Sequence, residues 1–267
     1  MFIDTHAHLN FKAFKKDLDE VLNRAKESGV TKIIIPGAKV DSSEKAIEIA
    51  QRYDSCFAAI GIHPHHVDEF KQSGRLIIEQ KLKEMLKQVQ HDKIVAIGEI
   101  GLDYHEYNGY PPLLQENKEQ QKELLLLQLD LAQKENLPII FHCRNAFDDL
   151  LEIIRQYGKS VEGVFHCFDG EKKHLEEVLK LGFYIGFDGN ITYPENQTLK
   201  SLVKLTPLER LFLETDSPFL TPQPFRGSRN EPAYITYIAK EVAEIHQRSV
   251  EEIVEMTSRN ALNLFKI

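Results

Sequence analysis

Eight short apolar runs, separated by amphipathic segments, constrain the fold of this chain more than any other feature. The runs are four to six residues long, rich in β-branched and aromatic residues, and lie at 2–5, 32–36, 56–61, 94–99, 138–142, 163–166, 183–187 and 211–215. Runs that are apolar at both odd and even positions are typical of parallel strands buried on both faces. We therefore interpret them as the strands of a parallel sheet.

The segments between these runs have the apolar periodicity of amphipathic helices. The predicted helices span 16–28, 43–52, 75–89, 118–135, 146–157, 172–181, 195–203 and 232–246, and a last helix begins at a capping box of Ser249 and Glu252. Strand and helix alternating eight times in 267 residues predicts an α/β fold, a (β/α)8 TIM barrel formed by one domain over 1–267. A doubly wound open sheet is the alternative, but neither of its phosphate-binding glycine motifs occurs.

Composition excludes several classes of protein. Three cysteines form an odd set in a long chain, and no basic segment precedes an apolar one at the N-terminus, which favours a cytoplasmic protein without a disulfide framework. The densest apolar stretch, at 124–132, is too short to cross a membrane. A net charge of -8 argues against a protein that coats duplex nucleic acid, because that mode of binding requires a basic surface.

Histidines and carboxylates follow the predicted strands at the positions where a barrel holds its catalytic groups. Strand one is followed by HAH, strand three by IHPHH, strand five ends in HCR, strand six in HCF, strand four contains GEIGLD and strand eight ends in ETDSP. So many ionisable groups in one barrel mouth would be costly to bury without a compensating charge. Bound divalent cations supply such a charge.

The spacing of these residues predicts a site for two divalent cations. His6 and His8 are two residues apart in an extended segment and can converge on one ion. His142 and His166 end neighbouring strands and can hold a second ion, while Glu99 offers one carboxylate oxygen to each. Asp216, beside strand one, completes the first set. Mixed imidazole and carboxylate ligands accept Mg²⁺, Mn²⁺, Zn²⁺ or Ni²⁺.

Cys143 and Cys167 each directly follow a predicted histidine ligand. Adjacent residues of a strand point to opposite faces, so we expect these thiols to point away from the ions. Inert buried thiols are the expected outcome.

Six sequence blocks resemble the TatD family of metal-dependent deoxyribonucleases, within the amidohydrolase superfamily. They are the HAH start, GIHPH at 61–65, GEIGLDY at 98–104, HCRNAFDD at 142–149, GVFHCF at 163–168 and TDSPFLTPQPFRGSRNEP at 215–232. The blocks cover essentially the whole chain in the order of the family, and the last one is highly specific. One departure is Asp169-Gly170, where many relatives have Ser-Gly.

The resemblance implies a (β/α)8 barrel, one or two divalent cations and hydrolysis of phosphodiester bonds, often as a 3′ exonuclease on single-stranded DNA. The ligands that it carries over are the same six that strand geometry selects: His6, His8, Glu99, His142, His166 and Asp216. Some amidohydrolases bridge their metals with a carboxylated lysine. Glu99 stands at the strand-four position here, so that modification is not required.

The predicted mechanism is attack of metal-activated water on phosphorus. Asp216 is the candidate to take the water's proton, with Glu99 between the two ions and Glu214 as support behind Asp216. His63 is a candidate contact to the scissile phosphate. Further candidate substrate contacts are two arginines, which match phosphate oxygens, and loop aromatics that could stack on bases: Arg144, Arg226, Tyr104, Tyr107, Tyr110, Phe168 and Phe225.

Two other functions stay open at this point. A hydrolase of an ester or amide, such as a misacylated tRNA or a lactone, could use the same scaffold and ions. A noncatalytic metal-binding scaffold is the second alternative, although it would not need Asp216 as well as the histidines. The preferred prediction is an exonuclease that holds a few nucleotides of single-stranded DNA at a 3′ end, without a membrane or a stable protein partner.

Overall fold

The computed structural model describes residues 1–88, 93–109 and 112–267. Eight parallel strands follow one another around the sheet in chain order, and each pairs with the next. Helices alternate with the strands, so the predicted (β/α)8 barrel is confirmed. The strands are β1 (Phe2–Asp4), β2 (Val30–Pro36), β3 (Cys56–Ile60), β4 (Ile94–Asp103), β5 (Ile139–Arg144), β6 (Gly163–Phe165), β7 (Tyr184–Phe187) and β8 (Leu211–Leu213).

The helices form the outer layer. They are α1 (Leu18–Glu27), α2 (Val40–Arg52), α3 (Val67–Ser73), α4 (Arg75–Gln88), α5 (Gln115–Glu135), α6 (Phe147–Tyr157), α7 (Lys172–Lys180), α8 (Gln197–Leu205), α9 (Ile235–His246) and α10 (Val250–Phe265). Within the described ranges, none of these helices combines the length and the apolar character that a membrane span requires. The predicted end of the third helix, Val89, lies outside the described residues.

The predicted capping box begins α10. The hydroxyl of Ser249 accepts a hydrogen bond from the amide of Glu252 at 3.2 Å, and the carboxylate of Glu252 accepts one from the amide of Ser249 at 3.0 Å. Each side chain satisfies a backbone donor that the first helical turn leaves unpaired. The sequence did not predict α3, a short helix that buries Val67 and Phe70.

Strand β4 is longer than predicted, and the extra residues change the site. Leu102 pairs with Cys143 and Asp103 with Arg144, four residues beyond the predicted end of the strand. Gly101 makes this possible, because its φ is 155° and a Cβ there would collide with the carbonyl of His142. The extension carries Asp103 into the barrel mouth.

The barrel closes between β1 and β8 through side chains and loop backbone. The carboxylate of Asp4 accepts hydrogen bonds from the amide and the hydroxyl of Thr215, at 3.0 and 2.7 Å. The amide of Asp216 donates to the carbonyl of His6 at 2.8 Å, and the amide of His8 donates to the carbonyl of Ser217 at 2.7 Å. The first and last strands are therefore joined just below the predicted metal ligands.

The core has two contiguous parts. The larger packs the helices against the outside of the sheet, and the smaller gathers side chains from seven strands together with the end of α10. In the smaller part, the rings of Phe212 and Phe265 lie 5.7 Å apart. The polar groups occupy the other end of the barrel, where the strands finish.

Candidate metal centre

Four ligand atoms converge at the end of β1. Nε2 of His6 and Nε2 of His8 lie 3.1 Å apart. Oδ1 of Asp216 lies 3.7 Å from the first nitrogen and 3.3 Å from the second. Oε2 of Glu99 lies 3.5 and 3.7 Å from the same nitrogens. Two imidazoles and two carboxylates therefore face one point.

A second group surrounds the other oxygen of Glu99. Oε1 lies 2.8 Å from Nε2 of His166, 2.9 Å from Nδ1 of His142 and 3.3 Å from Nε2 of His63. The rings of His6 and His166 stack at 3.9 Å, which places the two groups side by side. His63, which the sequence assigned to the scissile phosphate, therefore faces Glu99 together with the predicted ligands.

The electrostatics of the centre depend on Glu99. Burial opposes ionisation of this carboxyl, but His166, His63 and His142 outweigh burial and hold its pKa well below the usual value. Burial also opposes protonation of His166, and Glu99 and Glu214 outweigh it and raise that pKa well above normal. By contrast, burial and the neighbouring His142 lower the pKa of His63 to about 3.

Carboxylates lie beside two of the three histidines of the second group, on the side away from Glu99. Oδ2 of Asp103 lies 3.1 Å from Nε2 of His142, on the opposite side of the ring from Glu99. Glu214 lies 3.6 Å from Nδ1 of His166 and accepts a hydrogen bond from the amide of Cys167 at 2.5 Å. Carboxylates in this position orient histidine ligands and raise their basicity. The sequence placed Glu214 behind Asp216, whereas its carboxylate supports His166.

The donor set fits divalent cations. Imidazole nitrogens and carboxylate oxygens meet within 4.8 Å in three groups, two of which share His6; the groups are His6, His8 and Asp216; His6, His166 and Glu214; and His63, Glu99 and His142. Mixed ligands of this kind suit Zn²⁺, Mn²⁺, Ni²⁺ and related ions. The two oxygens of Glu99 face different groups, which is the arrangement of a bridging ligand.

The centre lies in a cavity of about 500 Å³, a volume suited to a small organic ligand. Arg144 reaches its mouth, where its guanidinium lies 5.4 Å from the Tyr107 ring and donates to the Tyr107 hydroxyl at 3.3 Å. On the opposite side, the ring of Phe11 stacks on His8 at 4.4 Å. Phe219 lies 6.2 Å from both rings and is 50% exposed. An arginine and three aromatic rings thus border the cavity.

Several predicted substrate contacts lie elsewhere. Arg226 forms an ion pair with Glu195 at 2.5 Å and covers the ring of Tyr193, so its guanidinium is already engaged. The hydroxyl of Tyr104 donates to Asp149 at 3.0 Å, and its ring packs on the core. Neither Arg226 nor Tyr104 is among the described residues that line the cavity.

Two more of the predicted stacking residues, Phe168 and Phe225, pack against other aromatic rings. Phe168 is buried against Phe147, and Phe225 stacks on Tyr234 at 4.6 Å. Tyr110 lies outside the described residues. Loop aromatics pack beneath their own loops because that removes their large apolar surface from water.

We expected both thiols to point away from the ions because residues alternate along a strand, but this argument does not apply to Cys167. Cys167 follows β6 in a turn with a φ of 45°, and both Cys143 and Cys167 border the cavity. Burial raises the pKa of each thiol well above its usual value, with further effects from Asp169 at Cys143 and from Asp188 at Cys167. Neither sulfur belongs to a candidate ligand group among the described residues.

Sequence reasoning missed residues that lie beside the predicted ligands. The carboxylate of Asp103 contacts three side chains, those of His65 at 2.7 Å, Tyr107 at 2.8 Å and His142 at 3.1 Å, and it also accepts a hydrogen bond from the amide of His105 at 2.9 Å. Asp103 follows Glu99 by four residues, an even spacing within one strand that could have revealed it. Phe11 and Phe219 carry no comparable signal, because they lie in loops.

A family model described as TatD related DNase matches residues 3–266. A Bacillus subtilis (strain 168) protein named uncharacterized metal-dependent hydrolase YabD is 42% identical over 268 residues, covering all of both chains. An Erwinia tasmaniensis protein named 3'-5' ssDNA/RNA exonuclease TatD is 34% identical over 271 residues, covering 99% of each.

A solved structure has the same fold over the whole chain. The crystal structure of the TatD homologue YJJV from Escherichia coli K12 aligns with a TM-score of 0.88 and 31% identity. The alignment covers 100% of this chain and 98% of that one. The similarity therefore includes every strand end that contributes to the metal centre.

Proposed function

The chain belongs to the family of TatD related DNases, a family of metal-dependent hydrolases, and from this premise we propose that it is a 3′–5′ exonuclease acting on single-stranded DNA. The bond broken is the phosphodiester that joins the terminal nucleotide to the rest of the strand. The relative from Erwinia tasmaniensis bears the name of this activity. A cytoplasmic location is part of the proposal, since all three cysteines are free thiols.

One observation carries the proposal: the two oxygens of Glu99 face two separate groups of donors at the base of one cavity. Such a centre would hold two divalent cations, the first by His6, His8 and Asp216 and the second by His142 and His166. Cations of this kind lower the pKa of water toward neutrality and neutralise charge on phosphoryl oxygens.

The remaining chemistry belongs to the side chains. Asp216 presents one carboxylate oxygen to His6 and His8, and in this proposal it would accept the proton of the attacking water. Asp103 fixes the orientation of His142, and Glu214 places a negative charge 3.6 Å from Nδ1 of His166. Arg144 borders the cavity and can donate to phosphate through its planar guanidinium.

The shape of the site favours a strand end over a duplex. The cavity of about 500 Å³ is bordered by aromatic rings suited to stacking on an unpaired base. An acidic chain with a net charge of -8 binds a long duplex poorly. Cations in the cavity would attract phosphate locally without a basic surface elsewhere.

The test is degradation of 3′-labelled single-stranded DNA with Mg²⁺ or Mn²⁺ by the wild type and by folded Asp216→Asn and His142→Ala variants. We expect loss of at least about a hundredfold in rate for each variant, as for groups that act directly on the transition state. Asp148→Asn, at a side chain that is 83% exposed, is the matched control and should retain the wild-type rate. Wild-type rates in the two site variants would refute the assignment.

The same assay separates the alternatives. A hydrolase of esters or amides would release a new carboxylate from such substrates and leave the oligonucleotide intact. A noncatalytic scaffold would bind two ions per chain and hydrolyse neither class of substrate. Parallel measurement of RNA and double-stranded DNA defines the preferred polymer.

A further inference from the structure

A second cavity, of about 450 Å³, lies beside the metal centre, and Phe11 borders both cavities. Its walls come from the segment after β1, from α1 and from α2. We call it the lysine groove, after the basic side chains that define it: Lys12, Lys15, Lys16, Lys45 and Arg52.

The charge of this groove is opposite to that of the whole chain. Five basic residues line it against three acidic ones, in a chain with a net charge of -8. Arg52 pairs with Asp19 at 3.3 Å and Lys45 with Glu48 at 3.4 Å. The three remaining lysines, Lys12, Lys15 and Lys16, are exposed and have no ion-pair partner among the residues that the structure covers.

The wall that carries these three lysines is fixed at both ends. At its start, Nδ2 of Asn10 donates to the carbonyls of Pro36 and Ser42, each at 2.9 Å. At its end, Arg229 donates to both oxygens of Asp17 at 2.9 and 2.6 Å. The groove is therefore preformed, which lowers the entropy lost when a ligand binds.

The groove begins at the metal centre. Phe11 stacks on the candidate ligand His8, and Lys12 follows it directly in the chain. A strand whose last phosphodiester lies among the ligands and whose base contacts Phe11 or Phe219 can continue past Lys12. Positive grooves bordered by aromatic rings are the usual binding surface for single-stranded nucleic acid.

We propose that the lysine groove binds the phosphodiester backbone of a single strand on the 5′ side of the nucleotide being removed. This inference rests on the proposed function, because it assigns the path of that enzyme's substrate. Lys12, Lys15 and Lys16 contact successive phosphates as point charges. A dinucleotide does not reach beyond the metal centre into the groove, whereas a longer strand does.

The experiment compares hydrolysis of a thymidine dinucleotide and of an oligothymidylate of about ten nucleotides, each with Mn²⁺. The test variant is the triple Lys12→Gln, Lys15→Gln, Lys16→Gln chain. The control variant, Lys26→Gln, Lys204→Gln, Lys266→Gln, removes the same charge from exposed lysines near the ends of α1, α8 and α10. These helix ends lie at the opposite end of the barrel from the metal centre.

We expect the test variant to raise the KM for the long strand about tenfold and to leave the dinucleotide unaffected. The slope of log KM against log salt should fall by about 2, since each phosphate contact on a single strand contributes roughly 0.7. An unchanged KM for the long strand, or an equal rise in the control variant, overturns the inference while the proposed function stands. Failure of the wild type to cleave either substrate overturns both.

Discussion

Asp103 and His142 contact each other through Oδ2 and Nε2 at 3.1 Å, and the other nitrogen of the same ring faces Glu99 at 2.9 Å. The imidazole of His142 thus lies between two carboxylates. Glu99 is a predicted ligand of the ion, whereas Asp103 lies on the far side of the ring. Asp103 is 2% exposed, and burial opposes its ionisation, but His142 and His65 outweigh burial and lower its pKa.

We therefore expect Asp103→Asn to weaken metal binding about 10- to 100-fold, because it removes the negative charge that orients a ligand ring and raises its basicity. The measurement is a Mn²⁺ titration by calorimetry, with activity followed in parallel. Asp148→Asn is the matched control. Identical titrations for wild type and Asp103→Asn would show that the carboxylate has no part in holding the ion.

Removing the ions should lower stability. A ligand that binds the folded state stabilises it by about 2.7 kcal/mol at a concentration of a hundred times Kd, which corresponds to roughly 5–10 °C in Tm for a chain of this size. We expect Mn²⁺ to raise Tm by this amount and a chelator to reverse the change. In Glu99→Gln the rise should be much smaller, and an equal rise in that variant would contradict the bridging role.

Phe219 offers a test of base stacking at the cavity mouth. Its ring is 50% exposed and lies 6.2 Å from the ring of Phe11. We expect Phe219→Ala to raise the KM for single-stranded DNA about tenfold, since stacking contributes roughly 1–3 kcal/mol per base. The Mn²⁺ concentration at half-maximal activity should not change. Leu76→Ala, at an 80% exposed leucine away from the cavity, is the control and should not alter KM.

The ion pair of Asp17 and Arg229 predicts a pH-dependent contribution to stability. Hydrogen bonds from Arg229 lower the pKa of the Asp17 carboxyl below its usual value. A lowered pKa means that the stabilisation is present above the unfolded pKa of about 3.9 and is lost as pH falls through the folded value. Asp17→Asn should therefore reduce stability by about 1 kcal/mol at pH 7, near the upper end for exposed pairs, because this one is bidentate.

Urea unfolding at pH 7 and near pH 3 measures this effect. The difference between wild type and Asp17→Asn should shrink at the lower pH. Asp68→Asn, which breaks an exposed pair with Lys71 at 3.6 Å, is the comparison and should change stability little at either pH. A difference that persists undiminished at low pH would exclude the charge as its source.

The strands and their polar ends could be predicted because both follow from periodicity. His6, His8 and His142 were located by counting along extended segments, and the structure places their ring nitrogens beside the carboxylate of Glu99. Their assignment as ligands stays a prediction. Asp103 was missed because the predicted strand ends at Glu99, whereas the pairing continues to Asp103 past Gly101, where the chain approaches the carbonyl of His142 closely.

Loop side chains could not be predicted in the same way. Arg226 and Tyr104 lie in motifs that follow strand ends, but each has a local partner, Glu195 and Asp149 respectively, that holds it away from the cavity. Phe11 and Phe219 reach the cavity from two different loops. No period relates such residues, and their positions depend on tertiary packing.

The closure of the barrel between β1 and β8 has a consequence for synthesis of the chain. His6 is made among the first residues and Asp216 more than two hundred residues later, yet their side chains end 3.7 Å apart. A nascent chain on the ribosome lacks β8 for most of its translation and cannot bring these donors together. The nuclease that we propose would therefore gain activity only when its synthesis is nearly finished.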